Sequence, residues 1–367
     1  MLKTGALLLQ GGMEFAFREH TFPERLAPGM VHLRVLSVAL CRSDLDYAKG
    51  DTAGRKIPFP FVLGHEPAAR VIEVGDDVTS VKKGDIVFVN PMDHNQQHQL
   101  CELGLPNLVQ DVRFLATPPV NGALREEMIY PAHLLTLVPN GEKKLDIIPL
   151  IEPMACGVHA VDLGGIPNIL ARKKECTVAV FGPGPIGLLA AVAALRAGAT
   201  KLILIGRQDP KLGLAHEVLS HCFSTDRVET VNAVKVGGQD ELVKKVMELT
   251  DGAGVDLVIE ATGAEEVMLQ SLLISAPRAS VVIIGRQNHM VPLDMQILRR
   301  REIAVLSSYR FTPDDIRTAA NIIVGPNPTP IGPMVTHRFP LARGGEAFAL
   351  AAQGSPTTIK ILIENFD

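Results

Sequence analysis

Cysteines are few in this sequence, and long uncharged apolar runs do not occur. The 367 residues include five cysteines, an odd number scattered along the chain, which argues against a disulfide framework and favours a reducing, cytosolic setting. The apolar run near the N-terminus is too short for a signal peptide, and no other stretch is long enough to cross a bilayer. We therefore expect a cytoplasmic protein without a membrane partner. The cysteines are Cys41, Cys101, Cys156, Cys176 and Cys222.

An excess of positive charge is also missing. The formal net charge is −4 at pH 7, which argues against nucleic acid as a main partner, because phosphate binding needs a strongly basic face. Hydrophobic residues make up 47% and charged residues 21%, a balance typical of folded globular chains rather than disordered ones. The length exceeds that of one ordinary core, so we expect two domains.

The hydrophobic pattern changes along the chain and predicts an α/β fold. Residues 1–155 carry short alternating segments separated by Gly and Pro, which indicates a β-rich domain. Strands and helices alternate over 156–311, which is typical of a doubly wound parallel sheet. Residues 312–367 hold a helix at about 313–324 and then short strands, so we expect them to complete the first domain, with the second domain inserted into it. The strands expected in the inserted domain are 178–181, 202–205, 255–259, 281–284 and 303–306.

A G-x-G-x-x-G spacing lies between an apolar strand pattern at 177–181 and an Ala- and Leu-rich helix pattern at 188–197. The first glycine allows a tight turn, the second lets the backbone approach a pyrophosphate, and the third allows close packing of helix on sheet. The helix N-terminus would offer free N–H groups to the phosphates. Between a strand and a helix, this spacing predicts a bound dinucleotide. The predicted cofactor-binding residues here are Gly182, Gly184, Pro185, Ile186 and Gly187.

The end of the next strand indicates which dinucleotide is bound. NAD-binding proteins carry an acidic residue there to hold the ribose 2′-hydroxyl, but this chain has Gly206 followed by Arg207. The missing carboxylate removes repulsion against a 2′-phosphate, and the arginine supplies a charged planar fork for it. Lys211 could add a second positive charge. Asp209 is the counter-argument, because it could reach a ribose hydroxyl; on balance we predict NADP rather than NAD.

Two further strand ends are candidates for the nicotinamide half of the cofactor. The segments 261–263 and 284–286 end predicted strands at the carboxyl edge of the sheet, where ligands of such sheets bind. We expect contacts from Thr262, Ile284 and Gly285, although ordinary strand-ending turns would give the same pattern. For 216–240 we expect only helix and connecting loop.

A thiol, an imidazole and a carboxylate occur near predicted strand ends in the first domain. Cys41, His65 and Glu66 could supply three protein ligands to Zn²⁺ and leave the fourth position for water or substrate, as a catalytic zinc requires. Glu152 precedes the cofactor domain and could join them directly or through a neighbouring group. On spacing alone, a buried core thiol and a satisfied core histidine explain the first two residues equally well.

Together these motifs resemble the zinc-dependent medium-chain dehydrogenases over nearly the whole chain. The finer match is to the sorbitol, xylitol and arabinitol (polyol) dehydrogenase branch, whose hallmark segment is similar to 114–119 followed by Gly122. The resemblance implies a GroES-like fold for the β-rich catalytic domain. The residues that carry it are Cys41-x-Ser43-Asp44, Gly64-His65-Glu66, Gly75, Gly84-Asp85, Glu152-Pro153, Gly182 to Gly187, Tyr47, the stretch from Leu100 to Gly104 with Asn107, and Ser307 to Arg310.

The resemblance implies roles for individual residues. Cys41, His65 and Glu66 would hold the catalytic zinc, with Glu152 nearby. The remaining catalytic candidates are Ser43 in the proton path from the substrate hydroxyl, and Tyr47 and Arg310 as hydrogen-bonding partners of polyol hydroxyls. The implied reaction is reversible hydride transfer between NADP(H) and a secondary alcohol of a sugar alcohol, and the implied assembly is a homotetramer.

The segment 92–115 departs from many members of that family. They place four cysteines there around a structural zinc, and this chain has only Cys101. Four thiolates cannot come from one cysteine. His94 and His98 could join Cys101 in a replacement site, but the segment is polar and loop-like. We therefore expect solvated histidines and no structural zinc.

Other functions remain open at this point. A different zinc alcohol dehydrogenase, including a threonine-type enzyme, would share the zinc ligands. A zinc-free quinone or enoyl reductase would share the fold without needing Cys41, His65 or Glu66. An inactive dinucleotide-binding sensor is the third alternative, since Arg42 and Ala69 stand where the family usually has glycine.

Overall fold

The computed structural model describes residues 1–22, 25–51, 54–287 and 290–365. By compactness the chain divides into two units. The first comprises Met1–Glu152, Ile323–Asn327 and Val335–Asp367, and the second comprises Pro153–Ile322 and Pro328–Met334. The domain boundaries predicted from sequence, after residues 155 and 311, stay a prediction.

The first unit is built mainly from short strands. Those in its N-terminal part are β1 (Leu2–Gly11), β2 (Glu14–Phe22), β3 (Met30–Ala39), β4 (Phe61–Val62), β5 (Glu66–Val74), β6 (Ile86–Val89), β7 (Met92–Asp93), β8 (Arg113–Phe114), β9 (Glu127–Pro131) and β10 (Leu135–Leu137), with helices α1 (Arg42–Ala48) and α2 (Gln99–Glu102).

The second unit alternates strands and helices. Its strands are β11 (Thr177–Phe181), β12 (Lys201–Gly206), β13 (Val228–Asn232), β14 (Val255–Glu260), β15 (Ser275–Ile283) and β16 (Ala304–Ser307). The helices are α3 (Ile151–Gly164), α4 (Ile166–Lys173), α5 (Pro185–Arg196), α6 (Asp209–Cys222), α7 (Gln239–Leu249), α8 (Glu265–Ile274), α9 (Met295–Arg301) and α10 (Pro313–Val324). The chain then forms β17 (Val335–Pro340), α11 (Gly344–Gln353) and β18 (Lys360–Glu364).

Strands from both ends of the chain form the main sheet of the first unit. Its order is β10-β6-β5-β3-β18-β17, with β9 paired to β3 as well. Strand β18 pairs antiparallel with β3 through Leu362 and Ala39, and its other edge pairs parallel with β17. The C-terminal strand is therefore an internal strand of this sheet, and it completes the first unit.

The second unit is a doubly wound parallel sheet, as predicted. Its strand order is β13-β12-β11-β14-β15-β16, and every neighbouring pair is parallel. The direction of winding reverses between β11 and β14, so the carboxyl ends of these two strands border the crevice where such sheets bind ligands. The central strands are buried along their whole length, which explains their continuous apolar runs.

The prediction for 216–240 was wrong in one respect. Residues Val228–Asn232 form β13, the edge strand beside β12. In its sequence, VETVN, only Val228 and Val231 are buried, and the other three residues are partly or fully exposed, because this edge strand is covered less than the central ones. It therefore lacks the apolar run that marks the other strands. Helix α5 also begins at Pro185, earlier than predicted, since proline suits the first helical position.

A helix that crosses a membrane must be both long enough and apolar enough. No single helix of the described chain meets both requirements; only the bent pair 148–164 and 166–173 does so when taken together.

Candidate metal and cofactor sites

Three predicted metal ligands lie together in the first unit. One ligand atom each from Cys41, His65 and Glu66 lies within 4.8 Å of the other two. Cys41 immediately precedes α1, His65 ends the loop after β4, and Glu66 begins β5. His65 is 6% exposed and Glu66 is fully buried. A turn and a strand start thus bring a thiol, an imidazole and a carboxylate to one buried point.

Asp44 holds this arrangement in place. Its fully buried carboxylate accepts hydrogen bonds from the backbone N–H of Cys41 at 3.1 Å and of Gly64 at 2.9 Å. Its Oδ1 also lies 3.3 Å from Nδ1 of His65. An imidazole that donates from Nδ1 to a carboxylate leaves Nε2 as its ligand atom. Asp44 is the first residue whose role sequence reasoning missed. The available signal was a capping pattern, in which Cys41 caps the start of α1 and an acidic residue stands at the third helical position.

Gly64 allows the loop to place His65 and Glu66. Its φ of +89° lies in the region that favours glycine, and a Cβ there would stand 2.8 Å from Cγ of Leu124 and 2.9 Å from Cγ1 of Val38. Both the backbone conformation and the surrounding core thus require glycine at this position.

Lys360 is the second residue that sequence reasoning missed. It is 2% exposed, and its Nζ lies 2.8 Å from Oε1 and 2.6 Å from Oε2 of Glu66. Only Oε1 is in hydrogen-bonding geometry, so Oε2 is a buried atom without a hydrogen-bond partner. The available signal was a lysine inside the apolar segment Ile359–Ile363, where charged residues are rare unless paired.

The electrostatics of the cluster suit a bound cation. Burial lowers the pKa of His65, but the Asp44 carboxylate and Cys41 outweigh it and hold the pKa well above its usual range. Burial raises the pKa of Glu152 to about 7, partly offset by His65 and reinforced by Glu66. A cation would replace the proton on the imidazole and bind Oε2 of Glu66, which lacks a hydrogen bond although it forms an ion pair with Lys360. The donor set of sulfur, nitrogen and oxygen therefore fits a three-ligand zinc site.

The other predicted residues of the first unit lie on α1 or next to the cluster. Ser43 is half-buried in the first turn of α1, and Tyr47 packs against the hydrophobic core from the same helix. Arg42 points to solvent and pairs with Asp46 at 2.9 Å, so it is not a cation beside the thiol. Glu152 is 5% exposed and lies outside the group of three ligand atoms, although it interacts electrostatically with His65 and Glu66. The ring of Phe114, from the hallmark segment, lies 5.7 Å from the His65 ring.

Arg310 belongs to the second unit. Its φ is +57°, and its guanidinium lies 4.6 Å from the centre of the Tyr309 ring, in cation–π geometry. Tyr309 is itself 52% exposed.

Of the three residues weighed for a replacement structural site, His98 and Cys101 have other contacts, whereas Nδ1 of His94 is buried without a hydrogen-bond partner. Nδ1 of His98 accepts a hydrogen bond from the N–H of Leu100 at 3.1 Å, and the Cys101 thiol donates to the carbonyl of Asn95 at 3.4 Å. Among the described residues, the one group of three ligand atoms found within metal-binding distance is that of Cys41, His65 and Glu66.

The second unit contains a cleft of about 800 Å³ at the carboxyl edge of its sheet. It brings together six of the predicted cofactor residues, which come from the turn after β11, the end of β12, the start of α6 and the loop after β14. These six are Gly182, Gly184, Gly206, Arg207, Lys211 and Thr262. The others lie close by, Pro185, Ile186 and Gly187 in the first turn of α5 and Ile284 and Gly285 after β15.

The glycines of the turn have the geometry that the motif predicts. Gly182 has a φ of +99°. A Cβ on Gly187 would stand 1.9 Å from the carbonyl oxygen of Gly182, so α5 can approach the turn only with glycine there. No atom would lie within 4 Å of a Cβ on Gly184, which leaves its backbone open toward the cleft.

The contacts of Asp209, near the end of β12, weaken the argument that this residue holds a ribose hydroxyl. The carboxylate of Asp209 is held by Lys235 and by the amide of Asn232, so it is directed to the neighbouring β13 segment. Arg207 lines the cleft, where its guanidinium lies 3.7 Å from the Glu266 carboxylate. Lys211 also lines it, with a pKa lowered by burial.

Comparison with known proteins identifies the family of the chain. Residues 27–140 match the model of the alcohol dehydrogenase GroES-like domain, and residues 185–325 match that of the zinc-binding dehydrogenases. D-xylulose reductase of Scheffersomyces stipitis is 30% identical over 381 residues, with 99% of each chain covered. The chain belongs to the zinc-binding dehydrogenase family.

Other members of this zinc-binding dehydrogenase family are similar over their full length. Sorbitol dehydrogenase 1 of Saccharomyces cerevisiae is 28% identical, with 98% of this chain and 97% of the relative covered. A crystal structure from Sinorhizobium meliloti 1021, bound to NADP, is 26% identical with a TM-score of 0.83, covering 99% of this chain and 100% of the other. The predicted family and fold class are thus confirmed, and the chain is an oxidoreductase of the polyol dehydrogenase type.

Proposed function

We propose that this zinc-binding dehydrogenase transfers hydride reversibly between NADP(H) and a secondary alcohol of a polyol. One observation carries the zinc part of the proposal: Cys41, His65 and Glu66 converge within 4.8 Å, and the buried Oε2 of Glu66 has no hydrogen-bond partner. The similarity to a D-xylulose reductase and a sorbitol dehydrogenase supports a polyol as substrate.

The chain's own residues have separate tasks in this reaction. Zinc, when held by Cys41, His65 and Glu66, supplies a Lewis acid that lowers the pKa of an alcohol. Asp44 fixes the His65 ring through Nδ1. Glu152, with a pKa of about 7, can hold or release a proton on its carboxyl oxygens near neutral pH.

The substrate contacts are proposed from the family resemblance. Ser43 lies in the proton path from the reacting hydroxyl and relays the proton onward, and its half-buried position at the start of α1, two residues after Cys41, suits that task. Tyr47 and Arg310 hydrogen-bond neighbouring hydroxyls of the polyol. Assembly as a homotetramer and a cytosolic location stay predictions.

Zinc content tests the proposal directly. Elemental analysis of protein purified without chelators should give about one zinc per chain, because Cys41, His65 and Glu66 form one three-ligand site among the described residues. Cys41→Ser should lose this zinc, and Cys101→Ser should keep it, since the Cys101 thiol donates to the backbone carbonyl of Asn95. The same protein should oxidise sorbitol or xylitol.

Two other results would change the assignment. Two zinc ions per chain, with one lost in Cys101→Ser, would mean that the 94–101 segment binds metal after all. No zinc in protein that still binds NADPH would contradict the proposal and favour a zinc-free reductase or a sensor.

The preference for NADP depends on the end of β12. Gly206 leaves no carboxylate for a ribose 2′-hydroxyl, Asp209 is engaged by Lys235, and Arg207 and Lys211 line the cleft. The NADP bound in the Sinorhizobium meliloti structure shows that a protein of this fold takes that cofactor. We therefore propose NADP as the physiological cofactor of this chain.

Replacing Arg207 tests this preference. Arg207→Ala should weaken NADPH binding by about 10- to 100-fold, because a charge-assisted hydrogen bond contributes about 1.5–3 kcal/mol. NADH binding should change by less than about twofold, since NADH has no 2′-phosphate. Arg278→Ala is the matched control, because that arginine is exposed and pairs with Glu302, at 3.5 Å. Fluorescence titration of both cofactors measures the effect, and equal weakening of NADPH and NADH would contradict it.

A further inference from the structure

Glu260 is a fully buried carboxylate that neither site description uses. It ends β14 at the carboxyl edge of the second unit's sheet, beside the cofactor cleft. A buried charge is costly unless hydrogen-bond donors surround it. The origin of its donors therefore indicates what this carboxylate does.

Three donors to one of its oxygens come from the next loop. The backbone N–H of Thr262 donates to Oε1 at 2.6 Å and that of Gly263 at 2.9 Å, and the Thr262 hydroxyl donates to the same oxygen. Thr262 lines the cleft, and its methyl group would be 3.0 Å from a Cβ on Gly182. The carboxylate thus fixes the segment of the cleft wall that faces the glycine turn.

The same residue also holds the end of β15. The N–H groups of Ile284 and Gly285 donate to the Glu260 carbonyl at 2.9 and 2.8 Å, and Nε2 of Gln287 lies 3.4 Å from Oε2. A Cβ on Gly285 would stand 2.6 Å from Oε2 and 2.4 Å from the Gly263 nitrogen. The two strand ends therefore meet at this one residue, β15 through its backbone carbonyl and the loop after β14 through its carboxylate, and Gly285 packs directly against that carboxylate.

We propose that Glu260 is a positioning residue of the cofactor site, which holds Thr262 in the cleft wall, together with the adjoining segment 284–287, in the shape that binds NADP(H). The inference rests on the proposed function for the identity of the cofactor. Without the carboxylate, the N–H groups of Thr262 and Gly263 lose their acceptor, so the loop relaxes away from the bound shape.

Asp256 provides a matched control on the same strand. It is a buried carboxylate at the other end of β14, where it accepts from the N–H of Thr177 at 2.9 Å and from Nζ of Lys173 at 2.6 Å. Its removal should therefore destabilise the sheet without disturbing the cleft. The chain has no tryptophan, so the fluorescence of NADPH reports binding without interference.

The experiment compares NADPH affinity with thermal stability in four variants. Glu260→Ala should weaken NADPH binding by about tenfold or more, and Gly285→Ala should do the same, since its methyl group would displace the carboxylate and the loop. Glu260→Gln should remain within about threefold of wild type, because its amide oxygen still accepts from the loop. Asp256→Ala should lower the melting temperature and leave the affinity within about twofold.

Two outcomes would overturn the inference. One is wild-type affinity in both Glu260→Ala and Gly285→Ala. The other is a loss of affinity in Asp256→Ala equal to that in Glu260→Ala, because the effect would then follow from general destabilisation. The titration needs neither zinc nor a polyol, so a failure of the polyol assay or an absence of zinc is a separate result.

Discussion

Replacing Lys360 with Met is expected to lower the apparent free energy of unfolding of the metal-free protein by about 3–5 kcal/mol. The ammonium group is the partner of a carboxylate that is itself completely buried, at 2.6 to 2.8 Å. Methionine would fill much of the same space but leave Glu66 as an uncompensated buried charge. Urea denaturation in the presence of a chelator measures the loss.

Two comparisons isolate the charge effect. Lys173→Met removes a lysine that pairs with Asp256 while its side chain stays 45% exposed, so it should cost about 1 kcal/mol or less. The double variant Lys360→Met with Glu66→Gln should recover much of the loss, because no unpaired charge remains. If Lys360→Met is as stable as wild type, the buried pair has no part in holding Glu66.

Replacing Gly187 with Ala is expected to weaken the binding of NADPH and NADH alike. The added methyl carbon would lie 1.9 Å from the Gly182 carbonyl oxygen, so α5 must move away from the turn that binds the pyrophosphate. We expect at least about a tenfold loss of affinity, equal to about 1.4 kcal/mol, together with a lower melting temperature. Titration with both cofactors measures the change.

Gly213 supplies the control for this substitution. It also lies inside a helix, α6, but no atom stands within 4 Å of its hypothetical Cβ. Gly213→Ala should therefore stabilise the protein by up to about 1 kcal/mol and leave the affinity unchanged, since alanine favours helix. A Gly187→Ala protein that binds both cofactors normally would show that the turn tolerates a displaced helix.

Local patterns predicted the cofactor half of the molecule well. The strand, turn and helix at 177–196 are contiguous in sequence, so their periodicity and glycine spacing carry the geometry. Strand β13 was missed because a partly exposed edge strand has no continuous apolar run. Burial from two sides, rather than strand propensity, had made the other strands recognisable.

The metal half depended on the family resemblance, since spacing left a core thiol and a core histidine as equal alternatives. No sequence pattern predicted that Asp44 and Lys360 contact the ligands His65 and Glu66. Lys360 lies 294 residues from Glu66 along the chain, and nothing local links them. Asp44 was within the quoted motif, but its contact with Nδ1 of His65 depends on how α1 and the loop before β5 fold together.

The position of β18 has a consequence for the order of folding during synthesis. Strand β18 lies between β3 and β17, so the main sheet of the first unit can be completed only after Lys360–Glu364 has been synthesised. The parallel sheet of the second unit uses strands within 177–307 and can form earlier. Residues of the first unit that are translated early are thus completed only by residues translated after the whole second sheet, and Glu66 gains its counter-charge only once residue 360 has been synthesised. The two halves of this buried ion pair therefore meet only after the chain between them has been made.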